Sequence, residues 1–386
     1  MADESMAEES LADQSMADQS MAAMPGGRRR SRIVALYLPQ FHPIAENDRW
    51  WGPGFTEWTN VTAAKPVYRG HHQPKLPLDL GFYDLRLHEA RAAQAELAQW
   101  GGLAGFMYYY YWFSGRRVLH RPIDEMINSG IDFPFCVMWA NENWTRTWDG
   151  GANDVLLGQD YDKVPAEAFI DDVLPLLEDR RYLRISGRPL VSVYRPAQIP
   201  DFASVAQEWR RRAAARGIQL HLVKVDTDPE FDGATGDPIE QGFDGVMGFP
   251  PHRFHQEPAS ARTLGVSRRF EGFLWSYAAT AHEAERRLER GLPRSYIPGV
   301  MVDFDNTARR QWGAHVWVGS NPYTFRRWLA TAVTSVASRP EDERIVVVNA
   351  WNEWAEGAIL EPSDRYGKSY LLAVRDVARV AWCGDE

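Results

Sequence analysis

Between positions 33 and 350 the chain repeats one alternation eight times: a short apolar run, then a longer stretch carrying polar and amphipathic residues. The apolar runs lie at 33–38, 105–111, 133–139, 189–194, 219–225, 245–249, 296–304 and 344–350. They are rich in β-branched and aromatic residues and short enough for buried strands. Helical periodicity fills most intervals, as at 85–100, ending in Gly101-Gly102, and at 166–177, 202–216 and 323–337. Eight alternating units predict an α/β fold, a single (β/α)8 or TIM barrel, with an open doubly wound sheet as the runner-up. No glycine-rich phosphate loop follows any of the runs, which counts against the open sheet.

The segment before the first run is of another kind. Ala2-Asp-Glu-Ser-Met6 recurs in variant form three times through Met21, and a five-residue period matches neither helix nor strand. Its six acids, Asp3, Glu4, Glu8, Glu9, Asp13 and Asp18, meet no base before Arg28. Residues 1–30 are therefore expected to be a disordered acidic tail, and 31–386 one catalytic domain. The whole chain carries −9, and without those six acids about −3, so nothing resembles a nucleic-acid footprint. The basic residues at 28–30 and 32 read as a solvated junction. No apolar run approaches a membrane span, which leaves peripheral contact as the form any membrane association would take. Two cysteines, Cys136 and Cys383, make no disulfide framework; Cys136 reads as a small buried hydrophobe. With an acidic rather than signal-like start, the expected compartment is the cytoplasm. Oligomeric state has no signature in the chain.

In a barrel, residues at the carboxyl ends of the strands converge on one mouth. The last run ends in Asn349-Ala-Trp351-Asn352-Glu353-Trp354-Ala-Glu356-Gly357, two carboxylates three apart among indoles. On a continuing strand they would face opposite ways, so a bend after Asn352 is required to bring them together. Neighbours on one helical face lie about 5–6 Å apart, near the roughly 5 Å carboxyl separation of retaining glycosidases. Mutual repulsion and apolar walls would keep one carboxyl protonated and the other ionised. A plain alternative is a helix N-terminus dressed with acids. Other run ends deliver Tyr37, Gln40 and His42; Tyr110 and Trp112; Trp139, Asn141, Glu142 and Trp144; Asp303 and Asp305. Of 16 tryptophans, nine (Trp50, Trp51, Trp58, Trp112, Trp139, Trp144, Trp148, Trp351, Trp354) fall in these motifs, and an indole face suits the C–H face of a sugar ring. Glu142 is either a third carboxylate orienting a sugar hydroxyl or a partner fixing Asn141 and Asn143. Glu57 could instead satisfy loop amides, and His42 a backbone carbonyl.

These motifs also resemble a known family. Tyr37-Leu-Pro-Gln-Phe-His42, Asn47-Asp-Arg-Trp50-Trp51-Gly-Pro-Gly-Phe-Thr-Glu57-Trp58-Thr-Asn60, His72-Gln-Pro, Asp79-Leu-Gly-Phe-Tyr-Asp84-Leu-Arg86, Tyr110-Tyr-Trp112, Trp139-Ala-Asn141-Glu142-Asn-Trp144, Asp305-Asn-Thr and Trp351-Asn-Glu-Trp-Ala-Glu-Gly resemble, in order, the WbsX-type branch of the glycoside hydrolase family 99-like domain. That branch is associated with bacterial polysaccharide and lipopolysaccharide O-antigen biosynthesis. Founding endo-mannosidases of the family have His where this chain has Ala355. The resemblance implies a glycoside hydrolase or glycosyltransferase with Glu353 base-like toward the sugar, through its 2-hydroxyl, and Glu356 as general acid/base at the glycosidic oxygen. The expected substrate-binding set is Tyr37, His42, Trp51, Glu57, Trp58, Tyr110, Trp112, Trp139, Asn141, Glu142, Trp144, Trp351 and Asn352, with Trp112, Trp139, Trp144 and Trp351 on the cleft walls. The expected substrate is an oligosaccharide or lipid-linked glycan, with no cofactor. Two alternatives stand beside this reading: a non-catalytic glycan-binding barrel, and a metal-dependent nucleotide-sugar transferase using Asp303-Phe-Asp305 or Asp226-Thr-Asp228.

Overall fold

The computed structural model describes residues 31–146, 151–228, 236–254, 258–260 and 264–380. The expected tail, Trp148 and Cys383 lie outside the described residues. Nine short parallel strands make one sheet whose order follows the sequence: β1 (Arg32–Tyr37), β2 (Gly105–Phe113), β3 (Phe135–Trp139), β4 (Arg188–Val193), β5 (His221–Asp226), β6 (Gly245–Gly248), β7 (Tyr296–Ile297), β8 (Gly299–Met301) and β9 (Ile345–Asn349). β7 and β8 are one run interrupted at Pro298, which has no amide to give the ladder. The run pairs with β6 through Val246↔Tyr296 and with β9 through Gly299↔Val347, while Arg32↔Ile345 joins β9 to β1. The sheet therefore closes as an eight-unit barrel, and the open-sheet alternative is excluded. Closure brings two backbones into contact: a Cβ on Gly299 would lie 2.1 Å from the Gly248 carbonyl oxygen, so only glycine fits there.

Helices α1 (Ala45–Trp51) and α2 (Glu57–Ala63) sit in the long connection after β1, ahead of α3 (His88–Trp100). The outer ring continues with α4 (Arg121–Asn128), α5 (Ala168–Leu177), α6 (Phe202–Ala214) and α7 (Tyr277–Glu289). It ends with α9 (Pro322–Ser335) and α10 (Ser369–Val380), and the single-turn α8 (Thr307–Arg310) belongs to the barrel mouth. Local sequence sets several starts: Asn321 accepts from the Thr324 amide at 3.0 Å ahead of Pro322, and Ser276 from the Ala279 amide at 3.2 Å. Runs such as Val346-Val-Val are buried on both faces, the inner against the barrel filling and the outer against helices. Cys136, in β3, is fully buried, and burial pushes its thiol far up. Among the described residues no helix is long and apolar enough to cross a membrane.

Candidate active site

After β9 the chain makes the bend that the paired carboxylates require. Asn352–Glu353 forms a two-residue strand against Ala358–Ile359, and one 3-10 turn, Trp354–Glu356, links them. Gly357 closes the turn at φ 67°, where an added Cβ would lie 2.2 Å from Lys75 Nζ. Glu353 and Glu356 then meet on a single guanidinium. Arg309 in α8 donates from Nη2 to Glu353 Oε2 at 3.1 Å and from Nη1 to Glu356 Oε1. The same Nη2 donates to Glu57 Oε1 at 3.0 Å, from the first turn of α2. Three carboxylates thus share one cation. Sequence reading placed Glu57 in the site but missed Arg309, which follows the Asp305-Asn-Thr motif by two positions and has no signature of its own.

The electrostatics follow from that count. Glu353 is buried, and burial first, then Glu356, push its carboxyl up to about 8 against the pull of Arg309. Burial also raises Glu57, again opposed by Arg309, and raises Glu142, opposed by Arg195, whose Nη1 donates to it at 2.7 Å. Burial would lower the Arg309 pKa, but Glu57, Glu356 and Glu353 overcome it and hold the guanidinium well above its ordinary value.

The carboxylates open on a cavity of about 510 Å³ at the barrel mouth. Of the expected set, Trp51, Glu142, Trp144, Glu353 and Glu356 line it, and Glu57 stands behind Arg309. The expected walls Trp112, Trp139 and Trp351 are corrected: all three indoles are buried outside it. Trp139 stacks on Phe169 of α5 at 4.3 Å, Trp112 meets Trp139 edge-on at 5.5 Å, and Trp351 lies 5.2 Å from Phe106. For Trp112 and Trp139 the cause is strand parity. On β2 the residues facing the cleft are Tyr109 and Tyr111, so Tyr110 and Trp112 face the helices, and Tyr110 donates to Asp172 of α5 at 2.6 Å. On β3 and beyond, Met138, Ala140 and Glu142 face in, and Trp139 and Asn141 do not.

Five more of the expected contacts do other work. Asn141 exchanges two 2.8 Å bonds with the Arg195 backbone, and Asn352 bonds the Leu38 amide and carbonyl at 2.8 and 3.0 Å. The Tyr37 hydroxyl donates to Gln94 at 2.7 Å, and Trp58 packs on Trp354 at 5.5 Å while its indole N–H donates to the Tyr83 carbonyl. His42 is buried, and burial lowers it to about 4. Beneath the turn Glu361 accepts from Trp354, Gln94 and Tyr83 at 2.6, 2.7 and 2.9 Å, and burial pushes it up to about 7. In place of the misplaced rings the cleft is walled by Trp50, Tyr109, Tyr111, Tyr194, Phe249, Phe304 and Trp317, with His252 and His315 among the polar groups. Tyr109 and Tyr111 are the other phase of the same strand, and Trp317 lies in the short strand His315–Val318, outside the eight-run pattern.

Both Asp-x-Asp tripeptides are committed to protein partners. Lys75 Nζ donates to Asp303 at 2.7 Å, and Asp305 accepts from His71 and Gln73 at 2.7 and 2.6 Å. Asp226 accepts from Arg253 and Tyr296, each at 3.0 Å, and Asp228 pairs with His252 at 3.0 Å. Among the described residues no group of three or more His, Cys, Asp or Glu side chains is placed to hold a metal.

Comparison with known proteins agrees with this architecture. The Bacteroides thetaiotaomicron GH99 endo-alpha-mannosidase, solved with Bis-Tris propane, superposes with a TM-score of 0.53 at 15% identity, over 91% of this chain and 97% of that one. A solved glycoside hydrolase-like protein gives 0.55 at 16% identity, over 92% and 97%. At such identities the likeness is one of fold. In sequence, the uncharacterized protein WxcX of Xanthomonas campestris pv. campestris is 42% identical over 346 residues, 89% of this chain but 49% of the relative. The chain thus spans about half the length of that relative. Residues 33–374 match the family described as Glycosyltransferase WbsX. With that match over most of its length, the chain belongs to the WbsX glycosyltransferase family, a family of carbohydrate-active enzymes.

Proposed function

We propose that residues 31–386 form one catalytic domain that cleaves or transfers at glycosidic bonds with retention, using Glu353 and Glu356. The observation that carries this reading is the convergence of the two carboxylates on Arg309 at the end of β9, facing an aromatic-walled cleft. Burial and the neighbouring Glu356 raise Glu353, which favours its protonated form before substrate binds. Catalysis moves that proton to Glu356, which delivers it to the glycosidic oxygen as that bond breaks. Glu353, now a carboxylate, takes the proton of the sugar's 2-hydroxyl while the 2-oxygen closes on the anomeric carbon. The acceptor, water or a second sugar hydroxyl, then attacks that carbon and leaves its proton on Glu356. The 2-oxygen recovers its own from Glu353. Both carboxyls return to the protonation they held as the glycosidic bond broke, with Glu356 protonated and Glu353 ionised, and two inversions at one carbon give net retention. In this reading the substrate is an oligosaccharide or lipid-linked precursor of a surface polysaccharide such as O-antigen, turned over in the cytoplasm without cofactor; membership in the WbsX glycosyltransferase family supports the glycan substrate.

The test is a screen of manno-configured and other oligosaccharides, with and without nucleotide sugars and with and without chelator. Turnover should need neither metal nor nucleotide and should stop in Glu353→Gln and Glu356→Gln while binding remains. Activity that requires a divalent ion and a nucleotide sugar, is lost in Asp303→Asn and survives both Glu changes would establish the nucleotide-sugar transferase instead. Binding without turnover in the unaltered protein would leave a glycan-binding barrel.

A further inference from the structure

The paired-carboxylate reading leaves one buried charge without a role. Arg309 lines the cleft, yet its side chain is only 13% exposed, and it carries three carboxylates from three other elements. Stability alone does not account for such a group, since a buried ion pair contributes little net stability over an apolar replacement, and three acids on one base leave negative charge over. Its geometry is specific. The terminal nitrogens of a guanidinium are coplanar and rigidly spaced. Nη1 holds Glu356 Oε1 and Nη2 holds Glu353 Oε2, so the plane of Arg309 fixes those two oxygens relative to one another. Glu57, fully buried in α2, holds Nη2 from behind and so fixes the guanidinium itself.

We propose that Arg309 is the positioning residue of the reaction, a guanidinium fork that aligns Glu353 and Glu356, with Glu57 as its anchor. The proposal rests on the paired-carboxylate reading, but its first measurement needs no glycan. In protein carrying carboxyl-labelled glutamate, the NMR titration of Glu353 should move to higher pH in Arg309→Ala, because Arg309 is the group that opposes its rise. Added guanidinium chloride, below denaturing concentration, should move it back, and urea should not. Arg309→Ala with Glu57→Gln removes anchor and cation together and guards against simple unfolding; it should give an upward shift that is smaller, because Glu57 also raises Glu353, and the same reversal. An unmoved titration in both variants, or reversal by urea as well, overturns the proposal. The second measurement uses whichever oligosaccharide the screen turns over. There kcat should fall about 100-fold in Arg309→Ala with KM little changed, since a misalignment near 1 Å costs about that much. Guanidinium should restore part of the loss, and Arg309→Lys, with one nitrogen in place of a fork, should fall between. Full kcat in Arg309→Ala would overturn the positioning role. Absence of turnover in the unaltered protein would count against the glycoside-bond reading and leave the titration to judge Arg309.

Discussion

Two buried carboxylate clusters flank the turn that carries Glu356, and they are built on opposite terms. On the cleft side Glu57, Glu353 and Glu356 divide one guanidinium. On the other side Asp305 receives donors in excess: His71 at 2.7 Å, Gln73 at 2.6 Å and the Thr307 amide at 3.1 Å, with Lys75 at 3.8 Å. The Val67 amide donates to His71 Nδ1, so Nε2 carries the proton given to Asp305. Burial works on both clusters, yet the outcomes diverge. Against it, Lys75 and His71 hold Asp305 well below the usual carboxylate range, whereas Glu353 is pushed up to about 8. A carboxylate surrounded by donors is a fixed structural anion; one short of them keeps a proton it can give away. The donor-rich cluster also holds the donor-poor one in place, because the Asp305 amide donates to the Glu356 carbonyl at 2.6 Å and Lys75 reaches the Gly357 carbonyl at 3.4 Å.

The sharpest break in the comparison is in activity. Glu353→Gln or Glu356→Gln should each lower turnover by about 100- to 10,000-fold, the usual worth of a positioned acid or base, with the fold intact by circular dichroism. Asp305→Asn should act through stability, with glycan turnover per folded molecule reduced far less. Equal losses per folded molecule on the two sides would erase the distinction.

Next in size is the loss of the cation on the structural side. Lys75 is held above its ordinary value by Asp303 and Asp305 despite burial. Lys75→Met leaves both acids without it and should cost about 3–5 kcal/mol in denaturant unfolding. A cost under about 1 kcal/mol, the worth of an exposed pair, would show the cluster to be incidental. Gly357→Ala, at φ 67° and against Lys75 Nζ, should cost about 1–3 kcal/mol. If Lys75 is the obstacle, the penalty shrinks in the Lys75→Met background.

The same contrast explains what could be read in the sequence. Strand positions and barrel closure were legible because burial on both faces of a parallel strand forces continuous apolar runs such as Val346-Val-Val. The bend after Asn352 was legible because two carboxylates three apart can meet only off a strand. Which aromatic faces the cleft was not, because Tyr109-Tyr-Tyr-Trp112 is aromatic at every position and supplies no polar alternation to set the phase. Arg309 was hidden for another reason: its partners lie 252, 44 and 47 residues away, and only the closed barrel brings them together.

The smallest expected effect is the dependence of stability on pH, and it separates the clusters by sign. Glu353 has a folded pKa near 8 against about 4.3 for an ordinary glutamate, so between those values the folded protein holds a proton that the unfolded chain has released. Its contribution is therefore fully present at low pH and is lost as pH rises through about 8, at up to about 1.4 kcal/mol per pH unit. Glu361, raised to about 7, has the same sign. His42 and His221, both lowered to about 4, have the opposite one, since the unfolded chain binds their protons up to about pH 6.5. The comparison must therefore be between variants, in which the histidines cancel. Relative to the unaltered protein, Glu353→Gln should gain stability steadily from about pH 5 to about pH 8, because it removes a proton-holding group from the folded state. Asp305→Asn should be less stable than the unaltered protein by a constant amount over the same window, because a depressed carboxylate is ionised in both states there and loses its contribution only at lower pH. Urea midpoints at a series of pH values measure both. Parallel curves for Glu353→Gln and the unaltered protein would mean that Glu353 is ionised in the folded state, and with it would go the claim that the cleft-side cluster is the one kept short of donors.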